Sequence, residues 1–162
     1  MTSAAPAGWL LCAVAALGCC GTGRAAMTLT VRVSVVSEPC IINGGRPIAV
    51  DFGDDLLTSK VDGSRYMKNI DYSLECSDAV DGRLKMTISG VGAGFDSTVL
   101  QADQANLGIR LLHDGQPMPL NEPLSFSPQD KPALQAVPVK NPADKLRAGA
   151  FAASATLSVE YL

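Results

Sequence analysis

An all-β sandwich is the fold this sequence predicts, and three observations predict it. Apolar and polar residues alternate with a period of two in run after run, as in Met27-Thr28-Leu29-Thr30-Val31 and Leu84-Lys85-Met86-Thr87-Ile88. Gly, Asp and Pro signals separate these runs at short intervals. No segment sustains a helical period with capping residues at its ends. Short strands broken by turns are the pattern of a sandwich whose strands each bury one face.

Composition agrees and narrows the possible functions. Hydrophobic residues make up 47% of the 162 residues, enough for a core, and the 18% of charged residues argues against a disordered tail protein. Aromatics are only 5%, so the core rests on Val, Leu, Ile and Ala. There are 13 basic against 16 acidic residues, a net charge of −3, with no run of Lys or Arg. Nucleic acid is therefore a poor partner, because phosphate binding needs a concentrated basic surface. The length leaves room for one domain and a removable leader, not for a large two-domain enzyme or a polytopic membrane protein.

The first element is that leader. Residues 9–18 (WLLCAVAALG) are uncharged and apolar, too short for a stable membrane span, and are followed by small residues up to Ala26. Residues 1–25 read as a signal peptide cut after Ala25, although no Lys or Arg precedes Trp9. Ala16-Leu17-Gly18-Cys19 resembles a lipid-attachment box with its first two residues in an unfavourable order. The preferred reading is that Cys12, Cys19 and Cys20 leave with the leader. The remaining 137 residues carry a net charge of −4 and divide into an extension, 26–37, and a domain, 38–162.

Two of the five cysteines then remain, Cys40 and Cys76, in an exported chain where a disulfide can persist. A zinc site competes, but the pair lacks close ligand spacing and His113 is the only histidine. The disulfide is favoured.

Strands are expected at 27–35, 48–52, 70–76, 84–88, 107–111 and 151–161, each alternating apolar with other residues. Asp81-Gly82 predicts a tight hairpin between the third and fourth of these, and His113-Asp114-Gly115 a further turn. Gly90, Gly92 and Gly94 suggest a flexible connection. They lack the Lys-Ser/Thr and the following helix of a phosphate loop. Seven of the ten prolines fall between Pro117 and Pro142, which predicts edge strand and loop there rather than central sheet.

Catalytic chemistry finds no support. His113 is expected as a solvated turn residue rather than a general base. Asp51, Asp54 and Asp55 do not have calcium-loop spacing and suit a turn. No carboxylate pair stands out for glycoside hydrolysis. The expectation is no enzyme, no cofactor, no metal and no small-molecule substrate.

The two ends are more informative. Both are strongly alternating, whereas most domain termini are polar and loosely ordered. Burying Met27, Leu29, Val31, Val33 and Val35 stabilises by on the order of 10 kcal/mol before ordering costs, so these strands have partners, in this chain or another.

Four segments carry a resemblance to a known family. Val35-Val36-Ser37-Glu38-Pro39-Cys40-Ile41-Ile42 is similar to an entry motif of the pilin subunits of bacterial chaperone–usher pili, with Ile41 in place of the usual Thr. Ile48-Ala49-Val50-Asp51-Phe52-Gly53 resembles a second family segment, and Cys76 falls where the second family cysteine lies. Gly149, Phe151, Ala155 and the penultimate Tyr161 resemble the terminal motif, the most specific of the four. The resemblance covers essentially the whole chain after the leader and is strongest to minor tip or adaptor subunits of P and type 1 pili.

That resemblance implies an incomplete immunoglobulin-like sandwich lacking its final strand, completed by donor-strand complementation from outside. A periplasmic pilus chaperone would lend the strand first. At the outer-membrane usher, a neighbouring pilin's extension would replace it, and the subunit would join a fimbrium at the cell surface that supports adhesion. Met27, Leu29, Val31, Val33 and Val35 would be the donated residues. Phe151, Ala155, Leu157, Val159, Tyr161 and the carboxylate of Leu162 would adjoin the chaperone and then the donor strand. Val33 stands where the family usually has glycine on the inward face of the extension. Length disfavours a two-domain tip adhesin. The competing function is an independent secreted or periplasmic β-sandwich that binds a ligand.

Overall fold

A computed structural model describes residues 40–77 and 82–162. The leader, Met27, Leu29, Val31, Val33, Val35 and the turn residue Asp81 lie outside the described residues. Eleven strands are present among those described: β1 Ile41–Ile42, β2 Lys68–Ile70, β3 Leu74–Glu75, β4 Leu84–Ser89, β5 Gly92–Ala93, β6 Asp96–Gln101, β7 Leu107–His113, β8 Gln116–Pro117, β9 Pro123–Phe126, β10 Leu134–Lys140 and β11 Thr156–Tyr161. The only helical pieces among them are short 3₁₀ turns at Asn43–Gly45 and Thr58–Lys60.

All strand pairs are antiparallel. One sheet runs β2-β10-β7-β6-β5 with β8 hairpinned onto β7, a second runs β11-β4-β9, and β1 pairs β3 apart from both. Between the two larger sheets lies the core. Leu84, Met86 and Ile88 of β4 pack with Ile109 and Leu111 of β7, Leu134 and Ala136 of β10 and Val159 of β11. Leu84 and Met86 retain no exposure. Their alternation with Lys85 and Thr87 is the sequence periodicity made physical, since successive strand residues face opposite ways.

Cys40 and Cys76 form the expected disulfide, with Cα atoms 4.3 Å apart. Their sequence separation of 36 corresponds to about 4 kcal/mol of stabilisation on the chain-entropy model. The Asp114-Gly115 turn also forms, with φ of 48° and 77° at its two central residues, the left-handed geometry that joins β7 to β8. His113 is half-buried beside it, its Nδ1 3.7 Å from an Asp114 carboxylate oxygen.

Several expectations need correction. Residues 48–52 form no strand, although Ile48, Val50 and Phe52 do pack against the core. Residues 70–76 are not one strand: β2 and β3 belong to different sheets, and the buried Tyr72 sits at the crossing. Tyr72 is anchored there by its hydroxyl, which donates to the Pro132 carbonyl at 2.7 Å, while Lys131 Nζ donates to the Tyr72 carbonyl. Among the described residues β3 pairs β1 while β4 pairs β11 and β9, and the expected hairpin turn at Asp81 lies outside those residues. Two of the three glycines in the stretch, Gly90 and Gly92, are closely packed, while Gly94 faces open space. Gly92 lies in β5 against β6, so close that a Cβ there would fall 2.5 Å from the Ser97 carbonyl oxygen. Strand β6 was not expected at all, because Val99 and Leu100 are adjacent and both buried, which breaks the alternation.

The proline-rich stretch holds the largest correction. It contains β10, which lies between β2 and β7 in the interior of its sheet, with Pro138 fully buried. Two bonds in register explain how: Asn141 N–H donates to the Asn106 carbonyl, and Asp114 N–H to the Ala133 carbonyl. Odd-numbered residues of β10 therefore turn their backbone groups to β7, and even-numbered ones turn theirs to β2. Pairing with β2 stops at Ala136. At Pro138 the missing N–H thus points where no strand waits.

Candidate strand-accepting groove

A cleft of about 830 Å³ opens along one side of the sandwich. Its floor is apolar and comes from both sheets: Ile88, Leu100, Ile109, Leu111, Leu134 and Ala136. Two extended segments form its rims.

Residues 46–52 are the first rim. Asn43, Gly44 and Gly45 all have positive φ and turn the chain into it, and the Asn43 side-chain amide donates to the Arg46 and Pro47 carbonyls. Ile48, Val50 and Phe52 then pack inward, while Ala49 and Asp51 are exposed. Asp51 ends the rim by accepting the Gly53 N–H at 2.8 Å, so the expected turn role of this carboxylate holds.

Residues 151–157 are the second rim, continuous with β11. β11 pairs β4 on one side only, and the sheet ends there. Phe52 and Phe151 meet across the cleft with ring centroids 5.9 Å apart, while Ile42 and Leu157 line it further along. A segment of seven residues, such as 151–157, spans about 23 Å at strand rise.

The predicted interface residues divide by position. Phe151, Ala155 and Leu157 line the cleft. Val159 is buried in the main core, and Tyr161 is partly buried against it. Leu162 is 66% exposed, its N–H donating to the Arg83 carbonyl at 2.9 Å. Phe151 and Ala155 precede the strand proper, which begins at Thr156, so the expected strand at 151–161 is shorter than its alternation. Sequence reasoning missed the first rim's role and the floor. The alternation of Ile48, Val50 and Phe52 was visible; that this segment faces a gap was not. Arg46 is the one charged residue lining the cleft among those described, so the arrangement suits an extended apolar occupant and offers no set of catalytic groups.

Two facing sheets, an inter-strand disulfide and an edge strand beside a cleft define an immunoglobulin-like β-sandwich of the pilin class. Comparison with known proteins agrees. The family model described as fimbrial protein matches residues 26–162, and the chain belongs to that family of structural pilins, which is not an enzyme family. The fimbrial-like protein YfcQ of Escherichia coli is 36% identical over 140 residues, covering 82% of this chain and 86% of that protein. The solved structure of the P pilus adaptor subunit PapF is 28% identical, with a TM-score of 0.57, covering 80% of this chain and all (100%) of that one. The P pilus rod subunit PapA shares the fold, with a TM-score of 0.63 at 20% identity over 83% of this chain and 99% of that one. The protein is thus a fimbrial subunit, a component of the surface fimbrium.

Proposed function

We propose that the protein is a minor or adaptor subunit of a chaperone–usher pilus, non-catalytic, whose cleft accepts an extended strand from another chain. The observation that carries this reading is the cleft itself, with residues 46–52 and 151–157 as its two rims over an apolar floor. Such an arrangement has the shape of a sandwich from which one strand has been withheld. β-Strand addition, of which chaperone–pilin donor-strand complementation is an established case, fills such a gap with backbone hydrogen bonds and alternate side chains.

A strand of about seven residues presents three or four side chains inward. Burying that many Leu, Val or Met side chains contributes roughly 6–10 kcal/mol before ordering costs, comparable to the whole stability of a small domain. A periplasmic chaperone supplies the first strand, exchange takes place at the outer-membrane usher, and the final strand is a neighbouring pilin's extension. In this reading residues 1–25 direct export and 26–37 are donated in turn, through Met27, Leu29, Val31, Val33 and Val35. The likeness to PapF supports the adaptor position, since PapF is an adaptor subunit.

The test is periplasmic expression of the chain with and without a co-expressed pilus chaperone, followed by purification and urea unfolding. Recovery mainly as a chaperone complex, with aggregation or low stability when expressed alone, is the expected result. A stable, cooperatively folding monomer without any partner would overturn the proposal and favour an independent ligand-binding sandwich.

A further inference from the structure

We infer that Asp103, in the turn between β6 and β7, is a positioning residue for strand uptake. It stands in for β4 where β4 has run out and so holds the second rim in strand register. The inference rests on the strand-accepting reading of the cleft.

The backbone bonds carry the argument. In an extended chain the N–H and C=O of one residue point to the same side, and those of the next residue to the other. In β11 the register Tyr161↔Leu84, continued by the Leu162 N–H bonded to the Arg83 carbonyl, turns the even-numbered residues toward β4. The odd-numbered residues turn away from it. β4 ends at Ser89, opposite Thr156, so the rim upstream has no strand to pair with on that side.

Ala152 has the same parity as Thr156, and Asp103 meets both of its backbone groups. The Ala152 N–H donates to Asp103 Oδ1 at 2.7 Å, and the Asp103 N–H donates to the Ala152 carbonyl at 2.9 Å. One residue thus supplies, with a carboxylate and an amide, the pair of bonds a neighbouring strand would supply. Gln104 secures the approach, its Nε2 donating to the Arg147 carbonyl at 3.0 Å. With the even side held, Phe151, Ala153 and Ala155 continue the register of β11 toward the cleft. Among the described residues their backbone groups take no hydrogen-bond partner. The rim is prepared before a strand arrives, and preorganisation of this kind strengthens binding by lowering the ordering cost.

The test compares the disulfide-bonded chain, purified as its chaperone complex and freed of chaperone immediately before use, with its Asp103→Ala and Asp103→Asn variants. The probe is a fluorescent synthetic peptide of residues 26–38, presented as the extension of a second copy. Loss of a charge-assisted bond predicts about tenfold weaker uptake by Asp103→Ala. Asp103→Asn keeps an acceptor oxygen and should stay within about threefold of the parent. Amide exchange should accelerate at 151–155 in Asp103→Ala and remain unchanged in β4 and β7. Parent-like uptake by Asp103→Ala would overturn the inference. So would exchange that rises equally in β4 and β7, which marks general destabilisation. If the parent chain takes up no peptide, strand acceptance itself fails and this inference falls with it, a result told apart by being visible without any mutation.

Discussion

β10 and residues 46–52 border the same core and have opposite fates. β10 carries a proline in its middle and is an interior strand, whereas 48–52 alternates without interruption and pairs with nothing among the described residues. The difference lies in the neighbours. β10 has β7 along its whole length and β2 along its first three residues, from Leu134 to Ala136. The rim faces the cleft instead of a neighbouring strand. A strand is a relation between two segments, and alternation records only which side chains face the core.

Removing side chains on each side of the comparison should give the largest contrast. Leu134 of β10 is 2% exposed, and Leu134→Ala should cost about 3 kcal/mol through the cavity it leaves, with or without an added strand peptide. Val50→Ala on the rim should cost less than about 1 kcal/mol in the empty chain and clearly more once peptide fills the cleft. Urea midpoints measured in both conditions read this difference. Equal costs at Val50 in both would mean the rim is already as fixed as a strand.

Pro138 offers a second break. Its nitrogen lies on the β2 side, past the last β2 pairing, and the residue is fully buried. Proline is suited to that position because it has no donor to leave unsatisfied. Pro138→Ala should therefore destabilise by about 1–2 kcal/mol, although prolines inside sheets usually do harm. Stabilisation on the same urea measurement would show that the new N–H finds an acceptor.

The smallest effect concerns the anchor from which β10 departs. Burial, reinforced by the Asp114 carboxylate, pushes the Tyr72 hydroxyl from its ordinary 10.0 up to about 12. Because the folded value lies above the unfolded one, its contribution is complete below pH 10 and is lost as the pH rises toward 12. Allowing for solvent screening, the loss should be on the order of 1 kcal/mol. Tyr72→Phe, which cannot ionise, should flatten the alkaline limb of a stability–pH curve. An unchanged limb would assign the loss to other groups.

Much of the inward face was legible from sequence. Leu84, Met86 and Ile88, then Ile109 and Leu111, and finally Leu157 and Val159 all turn toward the core as their spacing indicates. The Cys40–Cys76 pair and the Asp114-Gly115 turn were legible for similarly local or compositional reasons. Phe151, Ala155 and Leu157 were placed beside a groove through family resemblance, and they line the cleft. Asp103 gave no signal, because its partner Ala152 is 49 residues away and nothing in its own neighbourhood marks it.

By itself, then, the sequence determined the period-two faces, the all-β class, the cysteine pair and the tight turn before β8. These depend on side-chain hydrophobicity and on local backbone geometry, which neighbouring residues already encode. Only the tertiary structure decided which alternating segments find partners. It also set where β4 stops and Asp103 takes over, why Pro138 is tolerated, and that one side of the sandwich opens as a cleft. Those outcomes depend on hydrogen bonds between segments far apart in the chain, where a donor is satisfied or left waiting by whatever the fold brings beside it.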